Sequence, residues 1–167
     1  MKELVDILKH TKTHLMNGVS YMIPVVVGGG ILMAIAVLLT GEGAAPGWGS
    51  GIPYWLWTIG VDALGLMCPV FAAYIAFSIA DRPGIAVGMA GGFMALNIPT
   101  GFADGAVTTA SAGFIGAAIA GLLGGIIAHY LKKIPLPKSM QSLKSIIIIP
   151  VIGVLAVGII MFAFGTP

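Results

Sequence analysis

The stretch "YIAFSIADRPGIAVGMAGG", residues 74–92, decides the fold, because it places two charges inside a long apolar run. A charge near the centre of a bilayer costs about 2.5 to 3.5 kcal/mol on the scale of insertion experiments. Pro83 disfavours helical geometry at Arg82, and Gly84 tolerates unusual dihedral angles. The stretch therefore predicts two membrane helices joined by a turn, with Asp81 capping the second of them by accepting hydrogen bonds from its first N–H groups.

The composition is that of an integral membrane protein. Hydrophobic residues make up 58% of the 167 residues and charged residues only 8%, and the mean hydropathy is +1.05. A soluble domain of this size could not bury so much apolar surface. The 25 glycines indicate closely packed helices, since small residues let helix backbones approach each other in membranes. A net charge of +2 does not suggest a nucleic acid partner.

The apolar runs predict an all-α polytopic membrane protein, with residues 1–167 forming a single transmembrane domain. A crossing needs about 20 apolar residues, and the third predicted span is the weakest because its firmly apolar part is short. Leucines recur at helical spacing in the first 16 residues, opposite charged residues, which is typical of a helix that lies in the membrane interface. The prediction is an amphipathic helix over 1–16, followed by about five spans near 19–39, 57–80, 84–102, 114–131 and 146–164.

The basic residues decide the orientation. With five spans and a cytoplasmic N-terminus, every Lys and Arg lies on the inner side, as the positive-inside rule requires. A re-entrant third segment would instead place the cluster at 132–144 outside. The C-terminus is then expected outside the cell. The N-terminus has no compact apolar core with a cleavage site and is interpreted as mature protein.

Few polar residues of the predicted spans are candidates for chemistry. Asp62 is either a functional carboxylate or one shallow enough to reach water or a neighbouring hydroxyl. His129 fits a residue at the membrane interface better than a proton relay. His10 and His14 are four apart, but no third ligand accompanies them, so no metal site is predicted. Cys68 is interpreted as a buried structural thiol.

Two segments carry small residues at a spacing of four, which is typical of helix packing faces in membranes. The triple glycine at 28–30 follows no strand and lacks the Gly-Lys of a phosphate loop. The sequence also shows no nucleophile with a partner base, so it predicts neither catalysis nor a cofactor. The packing faces comprise Gly84, Gly88 and Gly92 in the third span and Ala117, Gly121 and Gly125 in the fourth.

Four segments resemble a known family. They are "LMNGVSYMIPVVVGGG", "AAYIAFSIADRPGIAVGMAGG", "SAGFIGAAIAGLLGG" and "KKIPLPKSMQSLKSIIIIPVIG". Together they resemble the N-terminal half of the fructose-type IIC component of the bacterial phosphoenolpyruvate-dependent sugar phosphotransferase system. The resemblance implies a permease of the inner membrane that binds and carries a sugar. It also implies a IIB partner that donates a phosphoryl group from a cysteine and a IIA partner that supplies it from a histidine.

The chain departs from this family in its length. A whole IIC of this type is about twice as long, and its second half carries a motif of the form I-T-E-x-A-I-P whose glutamate is expected to meet the sugar. These 167 residues contain no such motif. Cys68 does not stand in for the IIB cysteine, because it lies in a predicted span. By resemblance the chain is the scaffold and dimer-forming half, which works with a second half of IIC in the bilayer and carries no phosphoryl-transfer residue.

The resemblance also suggests a role for the charges of the inner loops. Two inner loops would face the IIB partner or gate the cytoplasmic mouth where the sugar is phosphorylated. A non-transporting membrane scaffold is the alternative function, and a membrane-embedded enzyme is the weakest because no catalytic group is visible. The candidates for the mouth are Asp81, Arg82, Lys132, Lys133 and Lys138.

Overall fold

A computed structural model describes residues 2–41, 51–103, 106–134 and 147–165. The described residues are helical apart from one β-hairpin. The chain divides into two compact units, a larger one of residues 1–19 with 68–167 and a smaller one of residues 20–67. The elements are α1 Lys2–Lys9, α2 Thr11–Thr40, α3 Ile52–Gly65, α4 Met67–Ala80, α5 Arg82–Leu96, β1 Ile98–Ala103, β2 Ala106–Ala110, α6 Gly113–Lys132 and α7 Ile149–Gly165.

Three helical stretches of the described residues are long and apolar enough to cross a membrane. They are Thr11–Thr40, Ile52–Ala80, which comprises α3 and α4, and Gly113–Lys132. A shorter apolar helix covers Ile149–Ala163, and α5 has only 15 residues. The prediction of a helical membrane protein is confirmed, whereas the number of five crossings stays a prediction.

The structure divides the segment that we predicted as one interfacial helix over 1–16. α1 ends at Lys9, and residues from Thr11 onward belong to the 30-residue helix α2. The Thr11 hydroxyl donates to the Leu8 carbonyl at 2.8 Å, which satisfies one of the carbonyls left without a partner at the end of α1. The amphipathic pattern of residues 1–16 therefore extends into the first turns of the long apolar helix.

The predicted turn after the second span lies at Asp81. α4 ends at Ala80, α5 begins at Arg82, and Pro83 lies in the first turn of α5, where its missing N–H has no helical partner to lose. Asp81 has φ 59° and ψ −149°, and its side chain makes no capping hydrogen bond. The predicted cap is therefore wrong, because this backbone conformation leaves the carboxylate away from the first N–H groups of α5.

A β-hairpin replaces the last part of the third predicted span. α5 ends at Leu96, and β1 pairs with β2 in antiparallel fashion with an irregularity between Pro99 and Gly101. The amide of Ala112 donates to the carbonyl of Ala95 at 2.8 Å, which connects the two ends of the hairpin segment. α5 therefore ends before Pro99, which cannot continue a helix, and the crossing predicted near 84–102 stays a prediction.

α4, α5 and α6 pack against one another in the larger unit. A Cβ built on Gly88 of α5 would lie 2.5 Å from the carbonyl oxygen of Ala72, and one on Gly121 of α6 would lie 2.8 Å from the same atom. Phe71 of α4 stacks on Phe114 of α6 with ring centroids 4.1 Å apart. Both neighbouring helices therefore approach the backbone of α4 directly, which larger side chains would prevent.

The smaller unit packs α2 against α3 in the same manner. A Cβ on Gly29 would lie 2.8 Å from the Gly60 carbonyl oxygen, and one on Gly60 would lie 2.8 Å from that of Gly29. A Cβ on Gly28 or Gly30 would meet nothing within 4 Å. Only the middle residue of the triple glycine is part of the helix contact.

Candidate functional site

An ion pair joins the α4–α5 turn to the last turn of α6. Lys132 Nζ lies 2.6 Å from Asp81 Oδ2, and the side chains are 47% and 73% exposed. An ion pair with this much water around it contributes at most about 1 kcal/mol to stability. The ion pair is more informative about the fold than about stability, because it connects two helix ends that are 51 residues apart in sequence.

The backbone of Asp81 directs this contact. Among the described residues it is the non-glycine residue with positive φ, and its combination of φ 59° and ψ −149° lies in a region that glycine alone occupies readily. Such a conformation costs about 1 to 3 kcal/mol and is concentrated at functional sites. The strained turn therefore makes Asp81 a candidate for a functional role.

The charges around this turn form a cationic surface, which we define as Arg82, Lys132 and Lys133 together with Asp81. Arg82 and Lys133 are exposed, and the Arg82 guanidinium makes no hydrogen bond or ion pair with another residue in the described ranges. Lys132 lies in the last turn of α6, where the helix dipole favours a positive charge. Three cations and one carboxylate leave this surface positive; the predicted site residue Lys138 lies outside the described residues.

A second polar group, which the sequence analysis missed, lies next to this surface. His14 Nδ1 lies 2.7 Å from Ser78 Oγ, and Asn17 Nδ2 donates to the same hydroxyl at 2.9 Å. His14 and Asn17 are three residues apart and share a face of α2. Ser78 lies in the last turn of α4, one turn before Asp81. The sequence does carry a signal for this group. The segment "HLMNG", residues 14–18, places two polar side chains, those of His14 and Asn17, three residues apart in a mostly apolar helix.

The His10 side chain is not part of the hydrogen-bonded group of His14. The His10 ring contacts Asp6 instead, with Nδ1 2.9 Å from the Asp6 carbonyl oxygen and 3.6 Å from its carboxylate. The two histidines therefore have different partners.

The two intramembrane candidates lie in different units. Asp62 is exposed on α3 of the smaller unit. His129 lies in the last turn of α6 in the larger unit, with its ring edge-on to Tyr130 at a centroid distance of 6.0 Å. His129 is therefore close in sequence and in helix position to Lys132, whereas Asp62 is far from either end of its apolar stretch.

The larger unit also has an open apolar groove beside α7. Its lining is almost wholly carbon, so it offers no hydrogen bonds to a sugar. It is lined by Met94, Pro150, Val151, Val154, Leu155, Gly158, Ile159 and Phe162.

Comparison with known proteins gives a consistent result. The profile of the family described as "Phosphotransferase system, EIIC" matches residues 16–167. The chain is 47% identical over 170 residues to the "Fructose-like permease IIC component 2" of Escherichia coli, a match that covers 100% of this chain and 44% of that protein. It is 42% identical over 160 residues to the "PTS system fructose-specific EIIABC component" of Bacillus subtilis, covering 92% of this chain and 23% of the relative.

A relative from Haloferax volcanii, the "PTS system fructose-specific EIIC component", is 37% identical over 170 residues, which covers 96% of this chain and 45% of the relative. The chain thus spans less than half the length of each of these three relatives. No solved structure matches the chain.

Proposed function

Since the chain belongs to the EIIC family of the phosphotransferase system, we propose that it forms the N-terminal half of a permease that carries fructose or a related sugar. The observation that carries this proposal is the 47% identity to a fructose-like permease component along the whole chain. The sugar would cross the bacterial inner membrane and be phosphorylated by a IIB domain. The names of two relatives combine EIIA, EIIB and EIIC in one component, which supports IIA and IIB as the partners.

The proposed arrangement has five crossings, a cytoplasmic N-terminus and association as a homodimer with a second half of IIC. The contact of His14 with Ser78 supports the orientation. It brings the start of α2 to the same end of the larger unit as the α4–α5 turn. The ion pair of Asp81 with Lys132 adds the end of α6 to that end. Basic residues that converge on one side are typical of the cytoplasmic face.

The cationic surface is proposed as the part that faces the IIB domain. A phosphorylated domain carries negative charge, and an Arg guanidinium suits phosphate and carboxylate groups because it donates two parallel hydrogen bonds. The Arg82 side chain is exposed, and its guanidinium makes no hydrogen bond or ion pair with other described residues, so it can make this contact without breaking another. Asp81 holds Lys132 beside it.

A reconstitution experiment tests the function. Membrane vesicles would contain this chain, the remaining C-terminal segment of the Escherichia coli relative, or both, together with the soluble phosphotransfer proteins and phosphoenolpyruvate. Labelled sugar phosphate is expected to accumulate only in vesicles with both, because a translocation path near the midplane usually forms between two bundles that move against each other.

Three outcomes separate the alternatives. Accumulation with this chain alone would contradict the proposal that it is one half of the path. Accumulation with neither half alone and with both together would support it. Co-purification of the two segments without any sugar phosphate would instead identify the chain as a non-transporting assembly subunit.

A further inference from the structure

Asp62 is a carboxylate deep inside an apolar stretch. It lies ten residues after Ile52, where α3 begins, which corresponds to about 15 Å of helix rise. Counted from Trp57, where the predicted span begins, the depth is about 8 Å. Since the hydrocarbon core is about 30 Å thick, Asp62 lies within it from either starting point. The other acidic and basic side chains of the candidate spans, in the described ranges, lie near helix ends.

The side chain points away from the helix that packs on α3. Gly60 meets Gly29 of α2, and Ala63 and Leu64 lie against the same glycine. Asp62 is exposed, and its carboxylate makes no hydrogen bond or ion pair with another residue in the described part of the chain. Residues at spacings of four, three and four form one helix face. On α3 and its C-cap residue, the exposed residues at this spacing are Trp55, Ile59, Asp62 and Leu66.

Lipid cannot cover such a face without cost, because acyl chains offer no hydrogen-bond donor to a carboxylate. A second copy of the chain does not solve the problem. In a two-fold dimer through this face each copy would bring a further carboxylate, and like charges repel. The occupant must therefore carry donors and reach about 8 to 15 Å into the hydrocarbon core, where Asp62 lies.

We propose that Asp62 lines the sugar path of the assembled permease and accepts hydrogen bonds from sugar hydroxyls. The inference rests on the proposed function, since a sugar is the donor-rich molecule that a permease moves past the midplane. Trp55, two turns before Asp62 on the same face, adds an aromatic surface of the kind that commonly lines ligand sites. The exposed face of α3 in the smaller unit then forms one wall of this path.

Uptake kinetics test the proposal in vesicles that contain this chain and the C-terminal segment of the Escherichia coli relative. Asp62→Asn is expected to raise the KM for sugar about tenfold to a hundredfold, because it removes a charged acceptor. Asp62→Glu should recover part of the loss. Asp6→Asn, a control in α1, should leave KM unchanged. A KM within twofold of wild type for Asp62→Asn at an equal membrane level would overturn the proposal.

Thiol labelling gives a second measurement that does not depend on transport. In a Cys68→Ala background, Asp62→Cys is compared with Ile31→Cys, which lies at an exposed apolar position in the middle of α2 of the same unit. A water-soluble thiol reagent should label residue 62 at least tenfold faster than residue 31, and fructose should slow labelling only at residue 62.

The two experiments distinguish a failure of the proposed function from a failure of the proposal for Asp62. If wild type accumulates no sugar phosphate, the proposed function fails, and the labelling rates alone decide where Asp62 lies. Equal labelling at residues 62 and 31 would overturn the water-lined path. Fast labelling that fructose does not slow, with loss of co-purification in Asp62→Asn, would overturn the sugar contact in favour of an ion pair with the other segment.

Discussion

Replacement of Gly29 by alanine is expected to weaken the packing of α2 on α3. The new Cβ would lie 2.8 Å from the Gly60 carbonyl oxygen and 3.2 Å from Ala63 Cβ. Carbon and carbonyl oxygen normally approach no closer than about 3.3 Å, so the helices must part by about 0.5 Å. The nearest atom belongs to the backbone, and a side-chain rotation therefore cannot relieve the contact. Overpacking of this kind costs about 1 to 3 kcal/mol.

The neighbouring glycines provide matched controls. Alanine at Gly28 or Gly30 would meet nothing within 4 Å, and it should stabilise the helix by up to about 1 kcal/mol because alanine has the higher helix propensity. The same propensity gain applies to Gly29→Ala. The difference between Gly29→Ala and Gly28→Ala therefore isolates the packing term, and we expect it to be about 1 to 3 kcal/mol.

The assay is unfolding of the purified chain in mixed micelles with increasing sodium dodecyl sulfate. Fluorescence of Trp55 and Trp57, both on α3, follows the loss of the smaller unit. Helix content measured by circular dichroism controls for changes in the helices themselves. If Gly29→Ala unfolds at the same detergent fraction as Gly28→Ala, the close contact of Gly29 with Gly60 is not a source of stability and the reasoning is refuted.

Three further predictions concern the ends of the larger unit. In a Cys68→Ala background, an impermeant thiol reagent outside the cell should label Ser111→Cys but not Ile134→Cys; the reverse pattern would contradict the proposed orientation. Arg82→Gln should slow sugar phosphorylation by IIB at least about tenfold while Arg82→Lys keeps part of the rate, and equal rates at equal protein levels would contradict a contact with IIB. Lys132→Gln should change the free energy of unfolding by less than about 1 kcal/mol, so a larger loss would show that water does not screen the pair with Asp81.

Local rules predicted the features that depend on neighbouring residues. The composition predicted the membrane class, and Pro83 with its flanking charges predicted the end of one helix and the start of the next. The α4–α5 turn lies at Asp81, one residue earlier than the restriction on the residue before a proline predicts, because Arg82 already belongs to α5 and Pro83 fits the first turn of that helix. The hairpin was missed, although Asp104-Gly105 is a turn-forming pair in the sequence, because residues 98–102 were assigned to the third predicted span.

The tertiary structure alone decided which partner each residue meets. A spacing of four tells which glycines share a helix face, but the choice of Ala72 as the contact of both Gly88 and Gly121 depends on how three helices pack. Likewise, the position of Asp81 directly before α5 predicted that its carboxylate caps this helix. Its carboxylate binds Lys132, 51 residues away, because the backbone dihedrals at the turn direct it there.

The sequence by itself determined a helical membrane protein of the EIIC family, since apolar run length, proline position and motif identity are local properties of the chain. The tertiary structure decided that His14, Asn17 and Ser78 form one hydrogen-bonded group and that Asp62 lies on an exposed face of α3. The physical reason is that the orientation of a helix about its own axis is set by the helices that pack against it, and an apolar helix in a membrane carries little amphipathic pattern from which that orientation could be read.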